Sequence, residues 1–245
     1  MLKPYSADLH IHSCLSPCGD LDMTPRNIVA VAVSRGLDII AVTDHNASEN
    51  TSPALKAARN SRLSVLSGME VASEEEAHLL VLFDQADRLL RFQEVVYEHL
   101  AVHGADRRTV EDQVIVNEKD QVEGFNHHLL LGATTLSFQR LVDEAHRLGG
   151  LAIASHVDRE SFSIIGQLGF IPDSLRLDAL EISPFTDPEG ARARFPDAAR
   201  FPLVTFSDAH YAADIGRRTT RFFIARPAVA EIKMALNGSR GRKII

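Results

Sequence analysis

The sequence predicts an α/β fold in which a mostly parallel sheet closes into a barrel, and three observations support this. Short β-branched runs alternate with helical patterns along the 245 residues, which is typical of βαβ units. About seven or eight such runs are present, which favours a closed barrel over an open sheet. No linker rich in glycine, proline or serine divides the chain. We therefore expect a single domain over residues 1–245.

The elements are predicted from hydrophobic periodicity and from residues that begin or end helices. Predicted strands cover residues 7–12, 38–45, 62–70, 77–83, 150–158, 178–185, 202–210 and 219–225. Predicted helices cover residues 25–36, 52–60, 85–104, 137–149 and 228–238. The segment 105–136 breaks the alternation, and QVIVNEKDQVEGF within it (113–125) is typical of a hairpin. We expect 105–136 to be an insertion beside the barrel.

Composition excludes several classes of protein. The formal net charge of −7 argues against broad electrostatic binding to nucleic acid or anionic membranes. No apolar run approaches the ~18 residues of a membrane span, and the first residues lack a secretory signal pattern. Cys14 and Cys18 are the only cysteines, too few for a disulfide framework. We expect a cytoplasmic protein with no membrane contact, no obligate protein partner and a solvated basic tail (Arg240, Arg242, Lys243).

The first predicted strand, ADLHIH, ends in His10 and His12. Side chains at positions i and i+2 of a strand point to the same side. Both imidazoles would therefore project together, which allows them to share a cation. Two half-exposed neighbours would give the same pattern, so the pair alone does not establish a site.

The same kind of residue recurs where other predicted strands end. These residues are Asp44 and His45, Glu70, His156, and Asp208 and His210. His78 begins its strand, so it joins them only if that strand runs in the reverse direction. Because the carboxyl ends of parallel strands form the active-site face of α/β folds, we expect these side chains to lie together.

Imidazole and carboxylate donors suit zinc, iron or manganese, whereas magnesium and calcium sites are dominated by oxygen. A catalytic zinc takes about three protein ligands, and there are too many candidates here for one ion. The sequence therefore predicts two or three divalent ions. Glu70, between histidine-bearing strands, is the predicted bridging carboxylate.

The motifs DLHIHS, VTDHN, GMEV followed by AHLLVLF, ASHVDR and SDAH resemble those of the PHP (polymerase and histidinol phosphatase) family, in the family order from about residue 7 to residue 225. The sequence is most similar to the stand-alone PHP-domain phosphoesterases. The resemblance implies a distorted (β/α)7 barrel with three metal ions. It implies that the first ion is bound by His10, His12, Glu70 and Asp208, the second by Glu70, His78 and His156, and the third by His45, His210 and an acidic residue of the first loop.

The first loop departs from the family pattern. Most members have HTxxSDG, with an aspartate five residues beyond the second histidine, whereas this chain has Pro17 there. Asp20 is the first candidate for the missing ligand, Asp22 the second and Cys18 the third. A reduced structural pair of Cys14 and Cys18 is the alternative for the two cysteines.

Further candidates lie outside the ligand set. Arg159, three residues after His156, is expected to grip a substrate phosphate, and Arg217 and Arg218 are rival candidates. Glu181 is either a partner of a metal ligand or a satisfied barrel residue. His127 and His128 would reach the cavity mouth only if the predicted insertion folds over it. The remaining helical histidines are expected on the surface: His99, His103 and His146.

The predicted function is hydrolysis of a phosphate ester of a small metabolite or nucleotide by a metal-bound hydroxide, with Glu70, His156 and Arg159 as catalytic residues. Activity should fall below pH ~6, because metal-binding histidines must be neutral. One alternative is a phosphodiesterase or 5′–3′ exonuclease acting on short oligonucleotides, and another is a non-catalytic metal-binding module. An amidohydrolase is disfavoured, because none of the strand ends above carries the metal-bridging lysine usual in that class.

Overall fold

The computed structural model describes residues 1–102 and 113–245. The strands are β1 (Lys3–Ile11), β2 (Ile39–Val42), β3 (Ser64–Ala72), β4 (His78–Phe83), β5 (Val114–Val116), β6 (Val122–Phe125), β7 (Leu151–Ala154), β8 (Ala179–Ile182), β9 (Leu203–Thr205), β10 (Thr220–Ile224) and β11 (Lys243–Ile244). The helices are α1 (Pro25–Ser34), α2 (Thr51–Ala57), α3 (Ala86–Glu98), α4 (Phe138–Arg147), α5 (Ile164–Leu168), α6 (Pro188–Arg194) and α7 (Val229–Leu236). The predicted helix 85–104 thus ends at Glu98, and His103 lies outside the described residues.

Nine strands form one sheet in the order β11-β10-β1-β2-β3-β4-β7-β8-β9. Four neighbouring pairs are parallel: β1–β2, β2–β3, β7–β8 and β8–β9. The other four pairs are antiparallel, so the expected mostly parallel sheet is in fact mixed. The short link between β3 and β4 explains part of the difference, because a parallel crossover needs about a dozen residues or more.

The sheet is curled, and its two sides approach each other near the end of β1. Ile11 and Ala209 form a parallel bridge, and the His12 N–H donates to the Ala209 carbonyl at 2.9 Å. In the described residues the strand ladder ends at β9 on one side and at β11 on the other. The fold is therefore α/β with a curled half-barrel sheet, which is consistent with a PHP-type barrel.

Helices cover the sheet and bury two main apolar clusters. Phe83, Phe92 and Phe138 pack together where α3 and α4 meet the sheet. Phe222 packs with α7 on another part of the sheet. Helix starts follow their capping residues: the Ser137 hydroxyl accepts from the backbone N–H of the residue three positions later, as expected of an N-cap.

The basic segment is part of the fold, although Arg240 and Lys243 are exposed as expected. The two residues of β11 pair with β10, and the Arg242 guanidinium contacts the Glu231 carboxylate at 2.9 Å. A two-residue strand is too short to show any periodicity, so the sequence pattern could not predict it.

The strands β5 and β6 form an antiparallel hairpin within the predicted segment 105–136, of which residues 105–112 lie outside the described part. Asn50 anchors this hairpin, since its side chain donates to the Val114 carbonyl at 3.1 Å and accepts from the Val116 N–H at 3.0 Å. Further on, the Asn46 amide donates to the Leu130 and Gly132 carbonyls. The segment after the hairpin is thereby bound to the loop that follows β2.

Candidate metal centre

The cluster expected from the strand ends forms at one end of the sheet. His45 lies beside Glu70 in a parallel bridge. Because β4 runs antiparallel to β3, His78 pairs with Ala72 and lies at the same end as Glu70. The reversed direction that His78 required is therefore present. The predicted residues that the fold brings together are His10, His12, His45, Glu70, His78, His156, Asp208 and His210.

Glu70 is the centre of the cluster, and its side chain is 1% exposed. One carboxylate oxygen, Oε1, lies 3.2–3.3 Å from ring nitrogens of three histidines, and Oε2 lies 3.2–3.4 Å from two more. The five histidines are His10, His78 and His156 at Oε1, and His12 and His45 at Oε2. A carboxylate with both oxygens engaged in this way has the geometry of a bridging ligand.

Asp208 completes a second group of donors. Its Oδ1 lies 3.4 Å from Nε2 of His10 and 3.3 Å from Nε2 of His12. The two Nε2 atoms themselves are 3.3 Å apart. Two ligands that each bind a zinc ion at ~2.1 Å with tetrahedral geometry would be ~3.4 Å apart. These spacings are those of donors that share an ion.

Three of the histidine rings have their Nδ1 atoms engaged away from the cluster centre. Nδ1 of His10 contacts the Glu181 carboxylate at 2.9 Å, Nδ1 of His12 contacts the Ser16 hydroxyl at 3.0 Å, and Nδ1 of His210 contacts the Asp208 carbonyl at 2.9 Å. Such partners orient metal-binding imidazoles and select the tautomer with a free Nε2. The sequence left the role of Glu181 open, and the structure places it in contact with His10, a candidate ligand.

Asp44 forms hydrogen bonds to the first loop next to the cluster. Its carboxylate accepts from the Ser13 N–H at 2.6 Å, the Ser13 hydroxyl at 2.7 Å and the Ser16 hydroxyl at 2.7 Å. Ser16 Oγ in turn accepts from the His45 N–H at 3.1 Å and contacts His12. Sequence reasoning missed Ser16 because a loop serine carries no distinguishing pattern.

Burial and charge shift the pKa values of the metal-free cluster in opposite directions. Burial lowers the pKa of His12, but hydrogen bonds and charge from Asp208 and Glu70 outweigh it and raise that pKa to about 9. Burial and the neighbouring His12 lower the pKa of His210 to about 4. Metal binding requires neutral imidazoles, so an ion must displace a proton from His12. Affinity should therefore increase with pH up to about 9.

Two of the clustered residues adopt backbone conformations that are uncommon for residues other than glycine. His156 has a φ of 28° and Asp208 a φ of 50°. Positive φ values of this kind store strain and are concentrated at functional sites. His156 lies two residues beyond the end of β7 and Asp208 three residues beyond the end of β9, and each side chain is in the cluster.

The cluster opens into a cavity of about 280 Å³. Arg159 lines this cavity, and its guanidinium lies 2.6 Å from Oδ2 of Asp208. Phe162 forms another wall and stacks on His78 with ring centroids 5.0 Å apart. The segment after the hairpin contributes Leu130 and Leu131. The described lining includes no lysine.

The remaining candidates lie elsewhere. Arg217 contacts Asp214 and lies over the Phe185 ring, and it does not line the described cavity. Arg218 donates to the Pro184 carbonyl. The other described histidines have local partners or lie outside the cavity lining: His99 contacts the Val95 carbonyl, His128 stacks on Tyr97, His146 contacts Asp178, and His127 is absent from the lining.

The first loop brings Cys18, not Asp20, into the cluster. Donor atoms of Cys18, His12, His45 and His210 all lie within 4.8 Å of one another. Oδ1 of Asp20 instead accepts the Asp22 N–H at 2.8 Å. Among the described residues, Asp20 belongs to no group of metal-capable donors.

The donor set fits divalent metal. Besides the Cys18 group, His10, His12 and Asp208 form one group of converging donors, and His45, Glu70 and His78 form another. Nδ1 of His156 is buried and has no hydrogen-bond partner among the described residues. Nε2 of the same ring lies 3.2 Å from Oε1 of Glu70 and is the nitrogen that faces the cluster. A mixture of nitrogen, carboxylate and sulfur donors suits zinc, iron or manganese.

Among the described residues, no helix is both long and apolar enough to cross a membrane.

Comparisons with known proteins agree with this architecture. The structure is similar to PfuEndoQ, a lesion-specific endonuclease from Pyrococcus furiosus, with a TM-score of 0.72 and 20% identity, over 99% of this chain and 58% of that one. It is also similar to a protein of Bifidobacterium adolescentis named as a candidate metal-dependent phosphoesterase, with a TM-score of 0.56 and 20% identity, over 87% of this chain and 91% of that one. At these identities the likeness concerns the fold alone.

Sequence comparison identifies the family. The chain is 30% identical over 117 residues to the uncharacterized protein YqxK of Bacillus subtilis, which covers 46% of this chain and 29% of that protein. It is 34% identical over 77 residues to the uncharacterized protein MJ1587 of Methanocaldococcus jannaschii, which covers 28% of this chain and 45% of that protein. The chain thus spans less than half of either relative. The model of the PHP domain matches residues 8–162, and the chain belongs to the PHP domain family.

Proposed function

We propose that this protein is a metal-dependent phosphoesterase that hydrolyses a phosphate ester of a small metabolite or nucleotide. The observation that supports it best is the Glu70 carboxylate, buried at the floor of a cavity and surrounded by five histidines at 3.2–3.4 Å. A structural role does not explain why Nε2 of His10 and Nε2 of His12 lie 3.3 Å apart and both lie within 3.4 Å of Oδ1 of Asp208, whereas donors that share an ion have this spacing.

Three divalent ions, of zinc, manganese or iron, would suit this number of donors. Glu70 would bridge, with His10, His12 and Asp208 on one side and His78 and His156 on the other. When bound, such ions lower the pKa of water and offset charge on phosphoryl oxygens. The protein orients its own ligands, since Glu181 and Ser16 hold the rings of His10 and His12.

The substrate class follows from the cavity. Its volume of about 280 Å³ lies near the lower limit of small-molecule sites. Arg159 is the only basic residue of the described lining apart from histidines, and its planar guanidinium suits one phosphate group. The net charge of −7 opposes the long basic groove that extended nucleic acid requires.

A short oligonucleotide is the second candidate substrate, and Phe162 favours it. This side chain is 49% exposed at the cavity wall, where an aromatic face can stack on a base. A phosphodiesterase or 5′–3′ exonuclease would use that contact on the terminal nucleotide. The base of a nucleotide monoester could make the same contact. Phe162 therefore favours a substrate that contains a base, but it does not distinguish cleavage of a phosphomonoester from cleavage of a phosphodiester.

One mass-spectrometric assay tests these alternatives with manganese-loaded protein. The mixture contains a 5′-phosphorylated oligonucleotide, a nucleoside 3′,5′-bisphosphate and histidinol phosphate. Loss of phosphate from a small molecule alone would support the monoesterase, and a ladder of shortened oligonucleotides would support the exonuclease. If none of the three is hydrolysed, the assay is repeated with a broader panel of phosphate esters. Bound metal without turnover of any of them would support a non-catalytic metal-binding module.

Arg159→Ala is expected to raise KM for the phosphate ester by about 10-fold to 100-fold, because a hydrogen bond to a charged group contributes ~1.5–3 kcal/mol. The turnover number should change less than KM if Arg159 mainly binds substrate. Arg217→Ala is the matched control, since Arg217 lies outside the described cavity lining. Steady-state kinetics of both variants measure KM. A rise of KM in Arg217→Ala but not in Arg159→Ala would show that Arg217, not Arg159, binds the phosphate.

A further inference from the structure

The first loop places the Cys18 sulfur among the histidines, one residue beyond Pro17, the position at which the PHP pattern has an aspartate. The donor atoms of Cys18, His12, His45 and His210 lie within 4.8 Å of one another. The His12 and His45 ring centroids are 4.4 Å apart, and those of His12 and His210 are 4.3 Å apart. Three imidazoles at this spacing cannot all be protonated without strong mutual repulsion. Imidazole nitrogens beside a thiol sulfur are the donor set of a soft divalent ion.

His45 and His210 each have a nitrogen available for such an ion. Nδ1 of His45 contacts Glu70 at 3.2 Å, and Nδ1 of His210 contacts the Asp208 carbonyl at 2.9 Å. Among the described residues, Nε2 of each ring is therefore the nitrogen available to an ion. Neither ring is needed to complete the group formed by His10, His12 and Asp208.

The local backbone keeps Cys18 at this position. The Gly19 N–H donates to the Ser16 carbonyl at 2.8 Å, and the Asp20 N–H donates to the His210 carbonyl at 2.9 Å. A Cβ atom at Gly19 would lie only 2.4 Å from the Ser13 carbonyl oxygen, so only glycine permits this tight path. The loop that carries Cys18 is thus bound directly to the segment that carries His210.

Both acidic candidates of the loop are directed elsewhere. Asp20 accepts the Asp22 N–H. Asp22 is exposed and lines a separate surface depression with Thr24 and Asn27. Neither lines the cavity above the histidines, whereas Cys18 does.

We propose that Cys18 binds the third metal ion as a thiolate, together with His45 and His210. On binding, the S–H bond loses its proton to solvent and a sulfur–metal bond forms. A thiolate favours Zn²⁺, Fe²⁺ or Co²⁺ over Mn²⁺. The Cys18 site should therefore prefer different metals from the sites formed by carboxylate and imidazole alone. The inference rests on the metal centre of the proposed function but not on the hydrolysis reaction.

Cobalt substitution tests the assignment through a signal that does not depend on activity. The full chain is stripped with a chelator, loaded with Co²⁺ and examined for the near-ultraviolet thiolate-to-cobalt charge-transfer absorption. We expect wild type to show this band and Cys18→Ala to lose it together with about one cobalt ion per chain. Cys18→Asp should regain the ion without the band, because a carboxylate binds Co²⁺ but gives no sulfur transition.

Cys14→Ser is the matched control. Cys14 is buried beside the Val114 carbonyl and the Asn50 amide and belongs to no metal-capable group of the described residues, so its variant should keep the band. The proposal is overturned if wild type binds cobalt without the band, if Cys18→Ala retains it, or if Cys14→Ser loses it. Circular dichroism verifies that each variant is folded. Absence of phosphoester hydrolysis in a wild type that shows the band would refute only the proposed function.

Discussion

Replacing Glu70 by glutamine is expected to remove bound metal and hydrolysis together. Glutamine has the same shape but no charge, and its amide NH₂ would face histidine nitrogens that now contact a carboxylate oxygen. Changing even a partner that only orients a ligand costs 10–100-fold in metal affinity. If Glu70 bridges the ions as proposed, its loss should lower metal affinity by more than about 100-fold. Metal content by mass spectrometry and turnover on the identified substrate measure both effects.

The control for this variant is Glu118→Gln, which removes the same charge at a surface position. Glu118 contacts only Lys56 among the described residues, at 3.7 Å, and an exposed pair of this kind contributes little to stability. Metal content and turnover should match wild type. If Glu70→Gln retained its ions, Glu70 would not bridge them, and the histidines around it would need another explanation.

Much of this centre could be predicted from the sequence, because strand ends are visible in a hydrophobic pattern. Buried runs such as DIIAVTDH pass into polar residues at a defined point, and parallel strands place those points at one edge. His78 is the instructive case. Its position at the start of a strand fits the cluster only in an antiparallel partner of β3, and the five-residue connection to β4 imposes that direction.

Other features depend on contacts that are distant in sequence. Glu181 contacts His10 across 171 positions, and nothing near either residue indicates their pairing. Whether Asp20 or Cys18 approaches the histidines depends on the backbone path of the first loop. Gly19 and the hydrogen bond from the Asp20 N–H to the His210 carbonyl determine this path. Residue spacing favoured an aspartate, whereas the three-dimensional path brings the thiol to the histidines.

The second large effect is expected for Asp44→Ala, which should destabilise the protein and weaken its metal site. Asp44 is 1% exposed and accepts one N–H and two hydroxyl groups from Ser13 and Ser16. A buried donor left without an acceptor costs ~1–3 kcal/mol. We expect the free energy of unfolding to fall by about 3 kcal/mol or more, measured by urea denaturation of the metal-free protein.

Asp44→Asn separates the charge of this residue from its shape. Burial raises the pKa of Asp44 despite the hydrogen bonds from Ser13. A raised folded-state pKa means that its contribution to stability is complete below the ordinary value of 3.8 and is lost as the pH rises through the folded-state value. The stability deficit of Asp44→Asn should thus narrow with increasing pH. A deficit that widened instead would mean that the ionised carboxylate is the stabilising form.

Asp44→Ala is also expected to lower metal affinity. Without this carboxylate the Ser16 hydroxyl loses its acceptor and no longer holds Nδ1 of His12 in place. Metal affinity should fall by about 10–100-fold, as for other residues that orient a ligand. Ser16→Ala removes the same contact to His12 but leaves Asp44 bound to Ser13, so it should weaken metal binding with a smaller loss of stability. Equal losses of stability in the two variants would show that Asp44 acts on the fold only through Ser16.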